Sequence, residues 1–190
     1  MTHWLRTSAA RKALLLVLAT VVPVAGAGCS GGNTPSQTPP ASPEEIGLQA
    51  VEVAAPDFTL PTLEDGDVTL SNLQGKVVMI NFWQVNCPPC EEEMPYLEAA
   101  AKQYDGEAYI MAVGIAVDAT GARAFVGKGD LQMLVPLDTQ ANAAAKYSVG
   151  YTPTTFLVDK SGIVRYVKVG AFERAIDVSA AIAFTLAGGA

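Results

Sequence analysis

Histidine is almost missing from this sequence: the single copy, His3, stands near the amino terminus, in a segment expected to be removed or held in a membrane. The mature chain then has no imidazole, which excludes mechanisms that need a histidine base or histidine metal ligand. Cysteine is scarce as well. Of three cysteines, Cys29 stands alone while Cys87 and Cys90 form one C-x-x-C. That number makes neither a disulfide scaffold nor a four-cysteine zinc site, and no metal and no separate cofactor are expected. Basic side chains are few. Setting residues 1–28 aside, with Arg6, Arg11 and Lys12, leaves nine basic side chains against nineteen acidic ones, a net charge of −10. Phosphate binding needs clustered Lys and Arg, so nucleic acid is not an expected partner. The amino-terminal apolar run, Ala13 to about Ala27, is broken by Pro23. It falls short of the roughly 20 residues that a membrane helix requires.

A basic start followed by a short apolar core reads as a signal peptide over residues 1–28. Ala25-Gly26-Ala27 resembles a general cleavage site, whereas Gly26-Ala27-Gly28-Cys29 resembles a bacterial lipobox, with Gly26 where a large apolar residue is usual. The favoured expectation is lipidation at Cys29 and anchoring to the outer face of the cell membrane. Ordinary secretion with a spare thiol and an uncleaved anchor are the alternatives. Residues 29–50 are rich in Gly, Ser, Thr and Pro, cannot bury enough apolar surface to offset their ordering entropy, and read as a tether. The folded domain is expected over 51–190.

Within it, Phe58–Leu60 and Val68–Leu70 flank an acidic turn and predict a hairpin. Val77–Trp83 is a continuous apolar run of strand length, as a strand buried on both faces requires. A helix is predicted over Pro88–Gln103, with Pro88 in the first turn, where its missing N–H costs nothing, and Pro95 kinking the interior. A strand over Tyr109–Ala116, helices over Thr120–Lys128 and Thr139–Tyr147, a hairpin of Thr155–Val158 and Ile163–Val169, and a last helix over Glu173–Leu186 complete the pattern. This order predicts an α/β domain.

A buried strand that leads into C-x-x-C at a helix start is the thioredoxin-type arrangement. Ala55-Pro56-Asp57-Phe58-Thr59-Leu60 resembles the opening of the redoxin superfamily. Asn81-Phe82-Trp83, then Cys87-Pro88-Pro89-Cys90 and Glu93-Met94-Pro95, resembles the TlpA/ResA-like branch of membrane-tethered bacterial thioredoxins. Gly150-Tyr151-Thr152-Pro153-Thr154-Thr155-Phe156-Leu157-Val158-Asp159 resembles that family's segment around its cis-proline. One departure is Asn86, where the family usually has Trp. The resemblance covers about residues 51–188. It implies a thioredoxin-like three-layer sandwich with a mixed central sheet, flanking helices and an N-terminal β-hairpin extension. It also implies a thiol-disulfide oxidoreductase acting on cysteine-containing exported proteins, apocytochrome c or other extracytoplasmic cysteine or copper-centre proteins; a reductant in that place needs a membrane electron relay, and a monomer is the default expectation.

Exchange needs one accessible thiolate and a second thiol to resolve the mixed disulfide. Cys87, exposed at the helix start, is the expected nucleophile, and Cys90, buried one turn on, the resolver. The resemblance places an active-site carboxyl at Glu93. The bland alternative for Glu93 is an exposed helix residue like Glu91 and Glu92. Pro153 is the expected cis-proline, exposing the backbone of Thr152 for a substrate strand. Trp83, Pro88, Pro89 and Thr152 are the expected substrate contacts, with buried core the equal alternative for Trp83 and the favoured one for Phe82, and Tyr96 and Tyr151 packing nearby. Pro88 and Pro89 bring no N–H to the Cys87 thiolate, and three glutamates oppose a second anion. These features predict a reductant, with a disulfide-forming oxidant or isomerase as the serious rival. A thiol peroxidase would want Thr where Gln84 stands and an Arg nearby. A copper carrier would want C-x-x-x-C and a distant His.

Overall fold

The computed structural model describes residues 38–64, 66–127 and 131–188. The predicted leader, the lipobox with Cys29 and the first part of the tether lie outside them. Among the described residues no helix is long and apolar enough to cross a membrane.

Among the described residues, eight strands and four helices make up the domain. They are β1 (Gln49–Ala54), β2 (Thr59–Pro61), β3 (Asp67–Thr69), β4 (Val77–Trp83), α1 (Pro88–Gln103), β5 (Ala108–Ile115), α2 (Ala119–Val126), β6 (Leu137–Asp138), α3 (Asn142–Lys146), β7 (Thr154–Val158), β8 (Ile163–Val169) and α4 (Ala175–Gly188). Six strands form one sheet in the order β1-β8-β7-β4-β5-β6, while β2 and β3 make the small separate hairpin. Strand β4 runs parallel to β5 and antiparallel to β7, so the sheet is mixed and β4 lies in its interior. This is the thioredoxin-like sandwich.

Every residue of β4 is buried, because helices cover one face and the hairpin with α3 the other. Alternation sorts the side chains: Val77, Met79 and Trp83 join Leu97 of α1 and Val178 and Ile182 of α4, while Val78, Ile80 and Phe82 join Phe58, Val68 and Ala143. On the second face Phe82, Tyr147 and Phe156 pack edge to face or tilted, with centroids 4.8 to 5.9 Å apart.

The structure departs from the sequence expectations in two places. The composition extends the tether to residue 50, yet a 3₁₀ turn at Glu44–Ile46 and strand β1 already belong to the folded body, with Ile46 and Leu48 buried. The sheet edge offered by β8 is what recruits them. The helix expected over Thr139–Tyr147 is shorter. Ala141 takes a left-handed φ of 57°, and buried Asp138 accepts the Ala144 N–H, so the helix starts only at Asn142.

Helix α2 brings Phe125 onto Trp83, with ring centroids 4.2 Å apart and planes 12° from parallel. Asp118 caps this helix by accepting the Gly121 N–H at 2.8 Å. Asp118→Ala is expected to cost about 1 kcal/mol of stability, as lost caps do. Urea unfolding followed by circular dichroism would show it, and an unchanged midpoint would mean the cap is idle.

Candidate active site

Cys87 caps the amino end of α1, and a disulfide joins it to Cys90 with Cα atoms 5.2 Å apart. The two prolines between them occupy the first helical turn, where a residue without N–H is harmless. The next two N–H groups, of Cys90 and Glu91, both donate to the Cys87 carbonyl at 2.9 and 3.1 Å. Those first-turn donors are therefore spent on the backbone of Cys87, not on its sulfur. Cys90 is fully buried and Cys87 8% exposed, less open than its expected place at the surface because the closed disulfide tucks it against the chain.

Across from the disulfide, the Thr152–Pro153 bond is cis, and the Thr152 carbonyl oxygen lies 3.6 Å from Cys87 Sγ. Pro88, Pro89 and Val85 are exposed, and Thr152 is half-buried. Tyr151, expected to pack, is instead 77% exposed, since the turn before Pro153 turns it outward. Trp83 requires the opposite correction. Named as a groove contact with buried core as the equal alternative, it is fully buried under Phe125, and its side chain meets no solvent. Asn86, at the departure from the family's Trp, sits at φ 59°, a left-handed conformation that Asn tolerates far better than an aromatic residue. The departure at Asn86 therefore answers a demand of the backbone as well as changing the surface.

Glu93 is fully buried, which removes its reading as an exposed helix residue. Helical spacing carries the reason: Cys90, Glu93, Met94 and Leu97 fall at i, i+3, i+4 and i+7 on the inward face of α1, while Glu91 and Glu92 face water. The Asn81 amide, buried on β4, donates to Glu93 Oε1 at 3.1 Å and to Thr155 Oγ1 at 2.9 Å. Glu93 Oε2 and Asn81 Oδ1 make no hydrogen bond of good geometry, the Phe172 N–H facing the carboxyl only loosely. Burial pushes the Glu93 carboxyl from 4.5 up to about 8, against the opposing pull of the Phe172 backbone N–H, the Lys168 charge and the Asn81 amide.

The three described arginines are engaged away from the disulfide: Arg123 donates to the Leu63 carbonyl, Arg165 pairs with Asp159 and Glu52, and Arg174 pairs with Asp177. Among the described residues no three His, Cys, Asp or Glu side chains converge as a metal site.

The Redoxin family profile matches residues 50–183. This chain belongs to the Redoxin family. Among its relatives is the thiol-disulfide oxidoreductase ResA of Geobacillus thermodenitrificans, 37% identical over 122 residues that span 64% of this chain and 70% of that one. The thioredoxin-like protein YneN of Bacillus subtilis is 34% identical over 132 residues, 68% of this chain and 76% of that one. Among solved structures, a putative thiol:disulfide interchange protein DsbE from Chlorobium tepidum aligns with a TM-score of 0.62 at 28% identity, covering 69% of this chain and 96% of that one. With the Cys87–Cys90 disulfide in place, this Redoxin-family chain is a ResA/DsbE-type thiol-disulfide oxidoreductase.

Proposed function

We propose that the protein is an extracytoplasmic reductant of disulfides in exported cysteine-containing proteins, apocytochrome c being one fitting client. The observation that carries this reading is the pair of prolines after Cys87, with the next two N–H groups donated to the Cys87 carbonyl. A thiolate stabilised mainly by the helix dipole, without backbone donors, is a more basic one, and a less stabilised dithiol form means a more reducing couple. The leader and tether in the sequence support a place outside the cytoplasm. Lipidation at Cys29 supplies the anchor in this proposal.

The chemistry proceeds in two exchanges. The Cys87 thiolate attacks a client disulfide, forming one new S–S bond and releasing one client thiolate, which takes up a proton. Cys90 then gives its proton to Glu93 and attacks Cys87 Sγ, closing the Cys87–Cys90 disulfide and releasing the second client thiolate. A carboxyl with pKa near 8 is matched to a thiol's proton affinity, whereas an ordinary carboxylate is several units too weak a base. Two electrons leave with the client, so a dithiol donor, here a membrane relay, must restore the pair. The exposed Pro88, Pro89 and half-buried Thr152 are the contacts offered to the client.

The test is the reduction potential of the Cys87–Cys90 couple, by equilibration with glutathione or a reference dithiol. A value near roughly −270 mV is expected, as for dedicated reductants of this fold, and one near about −120 mV would make the protein an oxidant instead.

A further inference from the structure

Four polar side chains cross the sheet in one row beneath α1. Asn81 of β4 pairs in register with Thr155 of β7, and Thr155 with Lys168 of β8. Directly opposed residues of neighbouring strands point to the same face, so all three side chains lie on the face that α1 covers. Glu93 closes the row from above through its bond from Asn81. Polar side chains in an otherwise apolar layer need a reason, because each one displaces packing that Val or Leu would supply.

Lys168 occupies the outer end of the row. Its ammonium donates to the Ile46 carbonyl at 2.9 Å and sits 5.2 Å from the Phe172 ring centroid. Gly47 leaves room for it, since a Cβ there would come within 3.2 Å of Lys168 Nζ. The ammonium therefore has a fixed place, held by the segment before β1. It borders a polar cavity of about 290 Å³, which Phe172 and the acidic side chains of Glu45, Glu173 and Asp177 also line. Asp177 is paired with Arg174, whose charge Glu173 and Glu45 also face, so the cavity sets three carboxylates against the two cations Lys168 and Arg174. Among the described residues, Lys168 is the cation whose charge reaches the Glu93 carboxyl.

We propose that Lys168 is a positioning residue for the exchange reaction: fixed between Ile46 and Phe172, it sets the proton affinity of Glu93 from the outer end of the polar row. It touches neither cysteine nor client. It holds Glu93 basic enough to accept the Cys90 proton but acidic enough to give it up to water when the site opens. Without it, a carboxyl this buried holds its proton more tightly, and a smaller ionised fraction of Glu93 is left to serve the resolving step at any given pH. The inference rests on Glu93 acting as the proton acceptor.

The test uses the full chain with Lys168→Gln, which keeps a side-chain N–H donor but removes the charge, and Lys168→Arg, which keeps the charge. The Glu93 carboxyl carbon is titrated by NMR, with Glu93→Gln identifying its resonance. Lys168→Gln is expected to raise the midpoint by about one pH unit, and Lys168→Arg to restore it. The pH profile of the resolving step is expected to move upward with it, and Lys168→Gln is expected to change nothing further in a Glu93→Gln background. A Lys168→Gln midpoint equal to the parent's, or a profile shift that persists without Glu93, would overturn the inference. If instead Glu93→Gln alone leaves the pH profile of exchange unchanged, the proton-acceptor reading itself fails. The two failures are therefore distinguishable.

Discussion

A Cys90→Ser chain is expected to accumulate as a covalent mixed disulfide with its client, while a Cys87→Ser chain returns exchange to the uncatalysed rate. The asymmetry follows from where the sulfurs lie. Cys87 stands at the helix start, beside the Thr152 carbonyl and next to the exposed prolines, so an incoming disulfide meets it first. Cys90 is fully buried and reaches only Cys87. Removing the buried sulfur leaves the first exchange intact and deletes the neighbouring thiol placed to undo it. Removing the outer sulfur leaves a thiol that no client can approach. Non-reducing electrophoresis and intact mass would read the trapped adduct at one client per chain. A stable adduct formed through Cys90 in the Cys87→Ser chain would reverse the assignment.

The second large effect concerns stability and pH. Glu93→Gln is expected to remove most of the pH dependence of stability of the oxidised protein between pH 4.5 and 8. In the folded chain this carboxyl keeps its proton up to about pH 8, whereas in the unfolded chain it ionises near 4.5. Across that window the folded state holds a proton that the unfolded state has released. Its contribution is fully present below pH 4.5 and declines as pH rises toward 8, by at most about 1.4 kcal/mol per pH unit. A neutral glutamine can still accept the Asn81 amide through its own oxygen and carries no ionisation cost. At pH 8 the variant should exceed the parent by on the order of 3 kcal/mol. Denaturant midpoints at several pH values would measure this, and parallel curves for the two proteins would rule it out.

Both effects depend on features of unequal visibility in the sequence. Strand β4 and helix α1 are legible to the residue. Six of the seven side chains of Val77–Trp83 are apolar, Asn81 being the exception, as a strand covered on both faces requires, and Pro88 marks a helix start that its missing N–H makes harmless. The edge strand β1 is not legible. Five of its six residues are exposed and the sixth half-buried, so its place comes from the ladder offered by β8 and not from any apolar pattern of its own. Strand β6 is two residues long and leaves no pattern to read. Glu93 is half legible: its phase with Cys90, Met94 and Leu97 is written in the spacing, but three glutamates in a row conceal which one turns inward. Trp83 misleads because an aromatic near a substrate groove and an aromatic beneath it look alike in sequence. Only the arrival of Phe125 from α2 decides between them. Lys168 carries no signal at all, since its meaning arises from strand register across half the sheet.

The sheet's outer edge joins the first strand of the domain to the last, β1 to β8. Their contacts span nearly the whole domain in sequence, and contacts that distant are the slow ones, because a long loop must close before they reward the chain. The central strands and α1 assemble from closer neighbours and need no help from β1. The carbonyl that holds Lys168, that of Ile46, arrives on the segment leading into β1. By sequence separation alone, the dithiol centre is expected to form before the lysine is fastened, so that the making of the site and its tuning fall at different stages of folding.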